Sequence, residues 1–248
     1  MSPRFPTLVA ALHAAARDKP DHGYTFLDAD APEHLSFEQL WLLARAYAHA
    51  LQRRGLRHGE LVLLDLPTGL DFACLHLAVL LCGAAACALP AVAGAGDGAR
   101  TLHRLHDFPL PQSPAMLLTA GQCAYASWTG GDVLQVCDVA ELEGIAAAYR
   151  PVQIDTGDAA IVHVARGSQG GVQCVAWTHA RALANLQRMG ERMRLRDAQG
   201  VVSWLPISQD MGRTGSLLFV LYWQLQGVLM PAERFLHEPA SEARAIGV

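Results

Sequence analysis

Lysine is nearly missing from this chain: Lys19 is the only one in 248 residues. Lysine chemistry elsewhere is thereby excluded, whether a Schiff base, a desolvated base or an ammonium set against a phosphate. Charge of any kind is scarce, at 17% of residues against about 25% in an ordinary soluble protein. The net charge is −4 and the arginines are scattered, with Arg53-Arg54 the densest pair. No electrostatic case arises for nucleic acid or an anionic membrane surface. Cysteine does not form a framework. Cys74, Cys82, Cys87, Cys123, Cys137 and Cys174 sit mostly in apolar runs, as buried thiols of a reducing cytoplasm would.

Long hydrophobic runs are nearly absent as well. The N-terminal MSPRFPTLVAALHAAARDKP lacks a convincing cleavage site. Leu8, Leu12 and Ala15 or Ala16 recur at helical spacing, which predicts an amphipathic helix rather than a signal peptide. Residues 72–95 carry no formal charge, but His76, Gly83 and Pro90 interrupt them. They read as a buried helix, a glycine turn and a buried strand, not as a membrane span.

What the chain does have is apolar content, 52%, in a length that suits one large α/β domain or two small ones. Thr7 caps a first helix ending near Pro20. Strands at 24–27 and 35–37 flank an acidic turn. Ser36 with Gln39 makes a capping box before a helix that Gly55 stops. Strands are predicted at 61–66, 116–119, 134–136, 160–165, 201–205 and 228–230, with a flexible AVAGAGDGA loop at 91–99. Thr178 caps a helix reaching about Arg194. Asp210 caps a helix over 211–226, which Gly227 ends. Strands alternating with helices imply mainly parallel sheets flanked by helices, divided as 1–150 and 151–248.

Residues 160–179, AIVHVARGSQGGVQCVAWTH, read as strand, Gly/Ser loop, strand and helix start. Glycines let backbone N–H groups encircle an anion, so Gly167, Ser168, Gly170, Gly171 and Thr178 are candidate phosphate ligands, with Arg166 as the cation. The loop has no lysine and lacks hydroxyls the pattern would use, which favours a plain turn between two strands. His103, His106 and Asp107 share a metal-ligand spacing but read as an exposed helix face, so no metal is expected. His163, among apolar strand residues, reads as a core histidine. No catalytic constellation stands out.

Four stretches resemble the N-terminal part of the adenylate-forming superfamily, and fatty acyl-AMP ligases within it. They are LSFEQLWLLARAYAHALQRRGLRHGELVLLDLPTGLDFACLHLAVLLCGAAACALP (35–90), the loop at 160–179, VVSWLPISQDMGRTGSLL (201–218) and VLMPAERFLHEP (228–239). The resemblance implies that Trp204, Gln209, Asp210, Met211 and Gly212 border an acyl pocket. It also implies ATP and Mg²⁺ as cofactors, a carrier-protein or polyketide/nonribosomal synthase partner, and a role in acyl activation.

The departures are specific. The family pattern Tyr-Thr-Ser-Gly-Ser-Thr-Gly followed by Pro-Lys-Gly becomes Val164, Ala165, Arg166, Gly167, Ser168, Gln169 and Gly170, with Val172 and Gln173 at the proline and lysine positions. Gln209 replaces the histidine before Asp-Met-Gly. The 248 residues reach about half way through a family member, so the resemblance leaves the adenine and ribose motifs and the mobile C-terminal domain outside them. The tail 240–248 reads as a cut or frayed end.

The expectation is therefore a degenerate acyl-AMP ligase-like stretch, inactive alone. The alternatives are a fragment completed by another chain and a non-catalytic acyl- or carrier-binding module. An apolar face over 216–236, including Phe219, Tyr222, Trp223, Leu229 and Phe235, is expected to be exposed and to favour self-association.

Overall fold

A computed structural model of the chain describes residues 3–27, 32–89, 109–120, 135–166, 172–193, 195 and 200–237. From the N-terminus the elements are α1 (Leu8–Asp18), β1 (Gly23–Phe26), β2 (Glu33–Ser36), α2 (Phe37–Arg53), β3 (Leu61–Asp65), α3 (Leu70–Leu81) and β4 (Ala85–Ala88). After them come β5 (Pro114–Thr119), β6 (Gln135–Asp138), β7 (Ala159–Arg166), β8 (Val172–Thr178) and α4 (His179–Met193). The last are β9 (Gly200–Ser203), α5 (Asp210–Gly212), a π-helical turn (Arg213–Leu218), α6 (Phe219–Trp223), β10 (Gln226–Leu229) and α7 (Ala232–His237).

The strands form two sheets, ordered β2-β1-β10-β9 and β6-β5-β3-β4-β7-β8. All pairings are parallel except β1 with β2 and β7 with β8. Each sheet takes strands from both 1–150 and 151–248. Alternation decides the faces of the larger sheet. Val62 and Leu64 join the main core, whereas Leu61 and Leu63 join a smaller cluster with Cys87, Leu117 and Val162.

Local chemistry explains the helix ends. Thr7 accepts from the Ala10 N–H, and the Ser36/Gln39 capping box is complete in both directions. Residues 72–81 are buried all round, so α3 is a core helix of 12 residues. Gly83 turns the chain into β4 with φ +70°, a conformation that costs glycine little. Among the described residues no helix is long and apolar enough to cross a membrane. Cys74, Cys82, Cys87, Cys137 and Cys174 are free thiols.

Two expectations fail. The helix expected over 211–226 is an unbroken run from Asp210 to Trp223 with a π segment in its middle, and it is closed by Gln224 at φ 56° rather than by Gly227. Gln209 is the N-cap, and Asp210 lies inside the helix, its carboxylate turned to His163 on β7 and to Arg213 one turn along. The apolar face over 216–236 is also largely closed. Phe219, Tyr222 and Leu229 are buried, and Trp223 and Phe235 are half-buried. The N-terminal segment and α4 supply the cover. Phe5 packs edge-on against Tyr222, whose hydroxyl donates to Gln187, and Trp223 Nε1–H donates to the Leu186 carbonyl. Of the large apolar side chains in that stretch, Leu236 alone is strongly exposed among the described residues.

Candidate functional site

β7 and β8 are the two strands expected to flank the glycine loop. They run antiparallel, with Val164 opposite Cys174 and Arg166 opposite Val172. Arg166 ends β7. Gly167, Ser168, Gly170 and Gly171 lie outside the described residues, as do His103, His106 and Asp107. Thr178 ends β8, and its hydroxyl accepts from the Arg181 N–H at 3.2 Å, the expected cap of α4. His179 is buried beside it. Its Nδ1 accepts from the Leu8 N–H at 3.2 Å, and burial pushes the imidazole down to about 4.

The second group of candidates occupies one segment, 204–212. The Gln209 N–H donates to the Pro206 carbonyl at 2.9 Å, which shapes the turn into α5. A Cβ on Gly212 would stand 2.2 Å from that same carbonyl oxygen, so only glycine fits there. Trp204 stacks on Phe235 with ring centroids 4.6 Å apart. Met211 is 75% exposed.

Asp210 connects this segment to β7. Its Oδ1 lies 2.6 Å from His163 Nδ1 and 2.6 Å from Arg213 Nη2. Burial opposes ionisation, but the hydrogen bonds and charges of His163 and Arg213 outweigh it and hold the carboxyl below the usual range. Arg213 is 1% exposed and donates from Nη1 to the Ser208 carbonyl at 3.2 Å. Burial pulls its guanidinium below the ordinary value despite the attraction of Asp210. His163 packs against the Trp177 ring at 4.4 Å. His76 on α3 is fully buried, and neither ring nitrogen has a partner among the described residues.

The geometry thus joins the Asp-Met-Gly segment to the strand that runs into the glycine loop. Sequence reasoning placed His163 in the core, where it lies, but not its carboxylate partner 47 residues away. Arg213 was missed altogether. Its signal was an arginine three residues after an acid at the head of an otherwise apolar helix, a spacing that puts the pair on one face. Among the described residues no group of three His, Cys, Asp or Glu is arranged to hold a metal ion. Among the described residues, the donor set around Asp210 does not fit a magnesium–triphosphate complex. Asp210 is already engaged by two cation-capable side chains, and the sole lysine is exposed at the C-cap of α1.

A family model described as AMP-binding enzyme matches residues 12–246. The chain belongs to that family. The 4-hydroxyphenylalkanoate adenylyltransferase of Mycobacterium marinum is 25% identical over an alignment of 268 residues, which covers 97% of this chain and 41% of that protein. Solved fatty acyl-adenylate ligases from E. coli and L. pneumophila include a chain with TM-score 0.86 and 27% identity, covering 98% of this chain and 45% of the other. An L. pneumophila fatty acyl-adenylate ligase in complex with acyl adenylate and pyrophosphate gives TM-score 0.84 at 24% identity, covering 97% and 42%. The chain therefore spans less than half the length of these relatives, and its two mainly parallel sheets are those of an adenylate-forming N-terminal region.

Proposed function

We infer that this stretch is an acyl-adenylate-ligase-like domain that does not itself form an acyl adenylate. One observation carries the reading: the loop between β7 and β8 keeps its glycines but not its lysine, and the only lysine in the 248 residues caps α1. Attack of a carboxylate on a phosphate needs fixed positive charge on the transferring group. Arg166 is the cation that the loop retains, and it sits where the family carries a serine. The catalytic set is accordingly empty. Arg166, Gly167, Ser168, Gly170, Gly171 and Thr178 remain as a residual phosphate loop, and Trp204, Gln209, Asp210, Met211 and Gly212 as an acyl-pocket wall without turnover.

Within that reading the domain works in acyl activation for lipid, polyketide or nonribosomal peptide assembly, with a carrier protein as its partner, in the cytoplasm. Support for the carrier comes from relatives of the same fold: one solved structure, McyG A-PCP complexed with phenylalanyl-adenylate, matches with TM-score 0.85 at 19% identity.

Calorimetry with ATP tests the loop. Affinity of about 1 mM or weaker, roughly −4 kcal/mol, is expected. Low-micromolar binding that Arg166→Ala abolishes would show a working nucleotide site and overturn the reading.

A further inference from the structure

α4 turns a line of arginines outward. At roughly 100° per residue, Arg188 and Arg192 each fall within about 20° of the direction of Arg181, and the three span about 16 Å of the helix. All three are exposed. The opposite side of α4 holds His179, Ala182, Leu183, Leu186 and Gly190 in the core. Arg4, also exposed, widens the cationic face on its flank. Its guanidinium lies 5.5 Å over the Trp223 ring, whose Nε1–H donates to the Leu186 carbonyl of α4. We propose that Arg181, Arg188 and Arg192, with Arg4 beside them, form a docking surface for an acidic segment of a partner protein.

The charge of this face is not compensated within the chain. None of the four arginines forms an ion pair among the described residues, where the paired arginines are Arg17 with Asp18 and Arg213 with Asp210. Glu191 is the only acid on α4, and its carboxylate accepts from Gln187 Nε2 at 2.7 Å. Four guanidiniums thus stand near one carboxylate, on a chain whose net charge is −4. Arg188 and Arg192 are one turn apart, a like-charge spacing that weakens a helix. Trp177 of β8 steadies Arg181, its ring centroid 5.0 Å from the guanidinium carbon. Guanidinium forks match carboxylates in geometry as well as in charge.

Physical chemistry selects the partner. Duplex nucleic acid is held by a broad basic surface, and a stripe this short on an acidic chain is not one. A helix lies on a membrane by sinking its apolar side, and that side of α4 is packed in the core. A second copy meeting this face with its own would set arginine against arginine. An acidic polypeptide meets the stripe without these costs, and exposed pairs of this kind set register and encounter more than tightness. The proposal takes the partner to be a protein, as the functional reading above does, and does not depend on whether the glycine loop holds ATP.

The test is an amide NMR titration of the full chain with an alanine-rich helical peptide of about 16 residues. Its glutamates recur four and eleven residues after the first, the antiparallel match to 181, 188 and 192. Shifts should concentrate in 179–193, with half-saturation at about 1 mM peptide in about 20 mM salt, loosening several-fold in about 200 mM salt. Arg188→Gln or Arg192→Gln should each weaken binding about two- to fivefold, whereas Arg53→Gln, which removes the same charge from the exposed end of α2, should not. The absence of shifts at about 2 mM peptide would overturn the proposal. So would an equal loss in Arg53→Gln, equal binding of a peptide with its glutamates spread around the helix, or tighter binding to duplex DNA or anionic vesicles. Calorimetry with ATP reports on the loop and this titration on α4, so either reading can fail without the other.

Discussion

Removing Asp210 should cost far more stability than removing Arg213, although they are partners in one ion pair. The reason is unequal burial. Arg213 is 1% exposed; the Asp210 carboxylate is the one anion that answers it among the described residues, beside the Ser208 carbonyl and His163 Nδ1 at 3.3 Å, and Nε is unpaired there. The Asp210 side chain is 42% exposed and has His163 as a second partner. Asp210→Ala strands a guanidinium in the core, a loss of about 3–5 kcal/mol. Arg213→Met leaves a carboxylate that water and His163 still satisfy and fills most of the vacated volume. Its cost should be about 0–2 kcal/mol. Urea unfolding with a slope of about 3 kcal/mol/M would separate the two midpoints by about 1 M. Equal midpoints, or Arg213→Met as the weaker protein, would refute the assignment of Arg213 as the buried member whose charge depends on Asp210.

Gly212→Ala should destabilise by about 1–3 kcal/mol, since its new Cβ meets the Pro206 carbonyl oxygen at 2.2 Å and a backbone must move; a melting temperature unchanged from wild type would contradict this. His179, pushed down to about 4 by burial, gives a further pH dependence. Above pH 6.5 the ring is neutral in both states and the folded protein keeps the Leu8 N–H bond. As the pH falls from 6.5 towards 4 only the unfolded chain gains the proton, so about 3 kcal/mol is lost. His179→Asn keeps an acceptor without the titration, and its urea midpoint should fall less steeply with acid than that of the wild type; identical slopes would remove His179 from the account.

Local chemistry carried most of the fold in the sequence. The Ser36/Gln39 box, the Gly55 stop and the interruption of the apolar run at Gly83 are written in neighbouring residues, and the elements they predict are present among the described residues, which end there at 89. The sorting of strands was not legible. β1 pairs in parallel with β10, more than two hundred residues away, and no short-range pattern encodes that partner. Asp210 shows the same limit at the site. Acid before an apolar run signals a helix cap, yet a buried histidine and arginine claim the carboxylate, and the helix starts one residue earlier with no side-chain cap. The expected open face over 216–236 failed for a similar reason. Tyr222 and Trp223 find their cover in the N-terminal segment and α4, contacts that composition near one end of the chain does not announce.

Acyl-dependent exchange of labelled pyrophosphate into ATP tests the central claim most directly. The purified 248-residue chain, supplied with Mg²⁺ and a range of fatty acids, should give no exchange above the buffer background, because its loop lacks the lysine and Lys19 is the only lysine in the sequence. Exchange clearly above background that requires the fatty acid would contradict the account.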